Sequence, residues 1–154
     1  VSRQITKYIG LHGLKNVGRV DEYLWRAAQP FSSGFTTLKE MGIKEIINLR
    51  EEHNDLNKTE KLGFKYQWIP FDEKTEWKQI DFILQKMHEK TPKLIHCKHG
   101  QDRTGIICGC YRIRYNKWSF DEVFEEVGAY TIYGDENSPE VRRAIREFWI
   151  KEHG

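Results

Sequence analysis

The chain has 154 residues, of which 38% are hydrophobic and 31% charged, a length for one compact core and a mix unlike a disordered tail. No apolar run approaches the roughly 20 residues that cross a bilayer as a helix. With 25 basic and 23 acidic side chains the net charge is +2, too balanced for a protein that binds nucleic acid through its overall charge.

Leu24 to Ala28 reads as a first strand, ended by Gln29-Pro30. Thr36 to Met41 reads as a short helix closed by Gly42, followed by Glu45 to Leu49, an apolar run of buried-strand length. Lys65 to Ile69 is a third strand. Ile80, Ile83, Leu84 and Met87 recur at the spacing of one buried helical face, with Thr75 as the expected cap. Beyond Pro92, Leu94-Ile95 forms a further strand that runs into His96-Cys97, and Gly105 to Tyr115 reads as the next helix. Ser119 and Glu122 make a capping box ahead of Phe120, Val123, Phe124 and Val127. Pro139 suits a first helical position, with Val141, Ala144, Ile145 and Phe148 as the buried stripe. Strands separated by helices predict an α/β fold, a central mainly parallel sheet flanked by helices, with residues 1–154 as one domain. In such sheets ligands bind beyond the C-terminal strand ends.

The strand at 94–96 leads into the most unusual segment, His96-Cys97-Lys98-His99-Gly100-Gln101-Asp102-Arg103-Thr104-Gly105. A loop feeding a helix turns several N–H groups into one concavity, and the helix dipole adds positive charge there, which suits a phosphate-sized anion. A thiol at Cys97, beside Arg103 and the helix end, is expected to act as a thiolate nucleophile. Arg103 offers a planar fork for two phosphate oxygens. Gly100 permits a turn that a side chain obstructs, and Thr104 has a hydroxyl to donate to the sulfur. Cys108 and Cys110, inside the following helix, read as packing residues. Three cysteines with no C-x-x-C pair predict neither a disulfide framework nor a zinc knuckle.

The segment matches the H-C-x-x-G-x-x-R-[S/T]-G signature and so resembles the cysteine-dependent protein tyrosine and dual-specificity phosphatases. Tyr23 to Pro30 and Ile46 to Arg50 resemble the early strands of small dual-specificity-type members. The resemblance implies a cysteinyl-phosphate intermediate at Cys97, no metal and no cofactor, a supporting role for His96, and a general acid on a loop upstream of the cysteine. The matching stretch is Trp68 to Glu76, where Asp72 is the chosen acid and Glu73 the alternative set by loop register.

Lys98, His99, Gly100, Gln101, Asp102 and Thr104 are the expected substrate-binding residues. Gln101 is a candidate to position the hydrolytic water, and Asp102 to bond substrate hydroxyls or brace the loop. A lysine immediately after the cysteine resembles lipid phosphatases and small enzymes acting on inositol pyrophosphates. The expected partner is therefore a phosphorylated protein, with an inositol polyphosphate or phosphoinositide as the close competitor. An RNA 5′-triphosphatase and a weakly active phosphate-binding module are the further alternatives. Arg112, Arg114, Lys117, Arg142, Arg143 and Arg146 either extend a positive field around the site or form a solvated face. Tyr130, Tyr133 and Gly134 to Asn137 form a polar loop without an assigned purpose. The first residues lack the apolar stretch of a signal peptide, so a cytoplasmic location is expected, with a cleaved leader left open by the absence of an initial Met.

Overall fold

The computed structural model describes residues 5–72, 74, 76–134 and 138–154. Among them lie the strands β1 (Thr6–Tyr8), β2 (Val17–Arg19), β3 (Leu24–Ala27), β4 (Glu45–Asn48), β5 (Lys65–Trp68) and β6 (Lys93–His96). The helices are α1 (Ser32–Glu40), α2 (Leu56–Lys61), α3 (Trp77–His88), α4 (Asp102–Tyr115), α5 (Phe120–Ala129) and α6 (Pro139–His153).

The sheet order is β1-β2-β3-β6-β4-β5. β3, β6, β4 and β5 run parallel, and β1 and β2 extend the β3 edge antiparallel. Ala27, His96, Asn48 and Trp68 are in register at the ends of the parallel strands. The chain therefore leaves all four strands at one edge, which places Gln29, Cys97, Arg50 and Phe71-Asp72 beyond the same ends of the sheet.

Successive strand side chains point to opposite faces, and neighbouring residues divide accordingly. Ile46 and Leu94 pack with Phe35 and Leu38 of α1, while Ile47 and Ile95 pack with Ile83, Ile107 and Ile145 of α3, α4 and α6. β4 and β6 are buried along their whole length. α4 is buried from Thr104 to Ile113 because α3, α5 and α6 all pack on it, so it shows no single apolar stripe.

Two boundaries differ from the sequence reading. α1 begins at Ser32 rather than Thr36. Gly34 within it is a site of close approach, where an added Cβ would stand 2.2 Å from the carbonyl oxygen of Gly13. α4 begins at Asp102 rather than Gly105, with an acidic first turn that complements the helix dipole, so Arg103 and Thr104 belong to its first turn. The short β1, β2 and α2 were not read from the sequence: the strands have three residues each, and α2 buries only Thr59. The expected cap Thr75 lies outside the described residues. The capping box of α5 is present, with Glu122 N–H donating to Ser119 Oγ and Ser119 N–H to Glu122 Oε1. No helix among the described residues is long and apolar enough to cross a membrane.

Candidate active site

The loop between β6 and α4 is held from outside through its carbonyl groups. Gln29 N–H donates to Lys98 O at 3.0 Å, Asn16 Nδ2 to His99 O at 3.0 Å, and Arg26 Nη2 to Gly100 O at 3.0 Å. In a trans peptide the C=O and the following N–H point in opposite directions, and the described chain contains no cis bond. Capturing these three carbonyls therefore turns the N–H groups of His99, Gly100 and Gln101 the other way, toward the concave side of the loop, as an anion nest requires. Gly100 is essential to this path. Its φ is +69°, and a Cβ there would lie 2.6 Å from Ala28 N, which no larger residue can accept without moving β3.

Cys97 sits at the head of the loop, 2% exposed. The buried Thr104 hydroxyl donates to its sulfur at 3.0 Å, which stabilises negative charge on sulfur, as does the nearby start of α4. A cavity of about 270 Å³ opens above it, lined by Cys97, His99, Gln101, Asp102, Arg103, Tyr133 and Gly134. Arg103 is half-buried in that wall. Its charge reaches Glu52: desolvation, the largest single influence, raises that carboxyl, but the Glu52 backbone amide, Arg103 and Arg50 together outweigh it and hold it below the usual range. His96 is completely buried, with Nδ1 3.2 Å from Cys97 O. Burial pushes it down to about 4, against that hydrogen bond, so at neutral pH it is an uncharged support beneath the loop.

Gln101 does not point into solvent. Its Oε1 accepts from Ile132 and Tyr133 N–H, both at 2.9 Å, and its Nε2 donates to Tyr133 O at 2.5 Å. This clamp brings the segment after α5 over the loop, where the Tyr133 ring meets His99 at a centroid distance of 4.7 Å. Tyr133 and Gly134 are thus pocket residues, although the sequence assigned their segment no purpose. Only the unusual amide at position 101 hinted at such a contact. Asp102 is exposed in the cavity wall, whereas Lys98 is exposed and is not one of the residues that line the cavity.

Two groups do not stand where a positive field would need them. Arg112 is 6% exposed and doubly bonded to Glu126, with Nη2 2.7 Å from Oε2. Arg114 is paired with Asp81 and Glu152. Both are ion-paired between helices, Arg112 with Glu126 of α5 and Arg114 with Asp81 of α3 and Glu152 of α6. Asp72 is half-buried, and Lys74 N–H donates to its Oδ1 at 2.8 Å. It lines a neighbouring cleft of about 540 Å³ with Trp77, Ile80, Ile106 and Cys110, not the cavity that contains Cys97. Glu73 lies outside the described residues.

Arg26, Asn16 and Gln29 escaped the sequence reading as site residues. Arg26 and Gln29 occur in the stretch that resembles an early strand, but nothing local shows that their donors reach a loop so far along the chain. Gln29 also links the loop to the β4–α2 connection, donating to Asp55 Oδ2 at 2.8 Å and accepting from Arg50 Nη1 at 3.0 Å.

The chain is similar to known phosphatases over most of its length. A protein of Mycosarcoma maydis named as the tyrosine-protein phosphatase OCA1 is 30% identical over 126 residues, covering 72% of this chain and 77% of that protein. The inositol diphosphatase DSP2 of Arabidopsis thaliana is 26% identical over 156 residues, with 72% of this chain matched to 60% of its length. The core catalytic domain of the PP-IP phosphatase SIW14 of S. cerevisiae, solved with citrate, superposes with a TM-score of 0.78 over 94% of this chain and 92% of that domain. At 22% identity the last likeness shows the fold. The model of the tyrosine phosphatase family matches residues 13–150, almost the whole chain, and the chain belongs to that family.

Proposed function

We propose that the cavity above Cys97 hydrolyses phosphomonoesters by a two-step, metal-independent route. The observation that carries this reading is the Thr104 hydroxyl 3.0 Å from the Cys97 sulfur, at the base of a pocket walled by Arg103. The sulfur attacks phosphorus, the S–P bond forms and the ester oxygen leaves with its electron pair. The Arg103 fork and the inward amides hold the equatorial oxygens as charge redistributes. Asp72 supplies the proton to the leaving oxygen and then takes one from the attacking water, which breaks the S–P bond. In the structure it faces the adjoining cleft, so its segment turns toward Cys97 for this step. Thr104 donates to the sulfur as it departs.

The aromatic pair His99 and Tyr133 on the rim supports a planar leaving group, and phosphotyrosine in a protein is the substrate we favour. An inositol polyphosphate is the second reading, supported by the name of the Arabidopsis relative and by the exposed Lys98 beside the nucleophile. Turnover of a small aryl phosphate in chelator, abolished in Cys97→Ser, tests the chemistry; phosphate binding without turnover in the wild type defeats it. A panel of phosphotyrosyl peptides and inositol polyphosphates at equal concentration separates the two substrates by kcat/KM. Lys98→Ala is expected to hurt the inositol compounds more than the peptides; equal losses reject the role of Lys98 in reading extra charge.

A further inference from the structure

Resting on the phosphatase reading of the Cys97 loop, we infer that Arg26 and Asn16 are positioning residues that lock the loop into its anion-binding form from behind. Arg26 is 1% exposed. Its guanidinium carbon lies 3.6 Å from the centre of the Tyr130 ring, Nη2 donates to Gly100 O at 3.0 Å, and Nη1 stands 3.9 Å from Glu126 Oε1. Glu126 is already engaged by three contacts from Arg112. The buried cluster thus holds two guanidinium groups around one carboxylate, and Arg26 Nε has no partner.

Burying a charge in such an incompletely paired setting is costly, and an apolar side chain of similar length fills the same volume more cheaply. Stability therefore does not account for a guanidinium at this position. Its contact with Gly100 O does, because this carbonyl shares a peptide plane with the Gln101 N–H, and holding one orients the other. The surplus positive charge lies behind the cradle and favours an anion in front of it.

Asn16 acts on the preceding peptide. It has φ 52°, a left-handed backbone uncommon outside glycine and best tolerated by asparagine. Its Nδ2 reaches His99 O at 3.0 Å and Tyr130 O at 2.9 Å. The same residue that carries the Arg26 guanidinium on its ring is thereby tied to the loop through its backbone. With Arg26 removed, Gly100 O keeps only the longer 3.5 Å contact from Asn16 Nδ2; with Asn16 removed, His99 O loses its side-chain donor; either loss loosens a loop carbonyl and lets its partner amide leave the cradle.

The test compares wild type with Arg26→Met, Arg26→Lys and Asn16→Gly, using tungstate affinity and aryl phosphate kinetics, with circular dichroism and thermal melts to score folding. Folded Arg26→Met is expected to lose about 100-fold in kcat, as small misplacements in a cradle do, along with tungstate affinity. Arg26→Lys, which keeps a charge and a donor, recovers most of both. Asn16→Gly suits the local φ and removes only the side-chain amide, so it remains folded if Arg26→Met does not; its tungstate affinity falls about tenfold. Wild-type affinity and kcat in folded Asn16→Gly and Arg26→Met overturn the inference, as does Arg26→Lys performing no better than folded Arg26→Met. Should wild type bind tungstate but not turn over esters, the catalytic reading fails, and the affinities still decide the role of Arg26 and Asn16.

Discussion

The Cys97 loop and the interior of α4 both enclose a thiol almost completely, with Cys97 2% and Cys108 0% exposed, yet they prepare the sulfur for opposite fates. At Cys108 burial pushes the thiol up to about 11, with Arg26 only partly countering it. Cys110 is likewise pushed up by burial. At Cys97 the same burial is accompanied by a hydroxyl donor, the beginning of a helix and a pocket with Arg103 in its wall. The difference teaches that accessibility alone does not make a cysteine reactive; donors aimed at the sulfur and space for the electrophile do.

The largest effect expected from breaking this contrast is at Cys97 itself. Cys97→Ser lowers kcat by about 10,000-fold while tungstate still binds, because removal of a nucleophile spares the cradle. Iodoacetamide followed by peptide mapping is expected to label Cys97 alone in the folded protein, with Cys108 and Cys110 reacting only in denaturant. Arg103→Lys comes next, at about 1,000-fold in kcat/KM, since a point charge does not reproduce a bidentate fork aimed at the transition state. A loss under tenfold removes Arg103 from the proposed clamp.

Asp72→Asn should slow turnover of substrates with poor leaving groups by about 100-fold and flatten the alkaline limb of the pH–rate profile. An unchanged profile moves the acid role elsewhere, with Glu73→Gln as the next variant to measure. Thr104→Ala is expected to cost about tenfold in kcat, the worth of one hydrogen bond to a charged atom, and to act mainly on breakdown of the phosphocysteine, visible as a larger burst. A separate effect falls on stability. Folded His96 is pushed down to about 4 from 6.5, so between those values the unfolded chain binds more protons, and stability drops as pH falls through that window. The loss is about 3 kcal/mol at most, measured by urea melts at a series of pH values, and His96→Asn should remove this dependence.

Much of the site was legible because its chemistry is local. Cys97, Arg103, Thr104 and Gly100 fall within one turn and one loop, where residue spacing already dictates which groups can converge. The same holds for β4, β6 and α5, whose apolar runs and capping box suffice to specify the element. β1, β2 and α2 were not legible, since elements this short carry almost no periodicity and depend on their neighbours.

The amino-acid sequence by itself determined the position of the Cys97 loop between strand and helix, the alternation of strands and helices, and the family signature, because each rests on groups close together along the chain. Only the tertiary structure decided that Arg26 and Asn16 brace the loop, that Gln101 clamps Tyr133 over the pocket, that Arg112 is a buried ion-pair partner and that Asp72 faces the adjoining cleft. Those facts join residues far apart in sequence, and their pairing follows from the order of strands in the sheet and from which carbonyl meets which donor, neither of which a local pattern encodes.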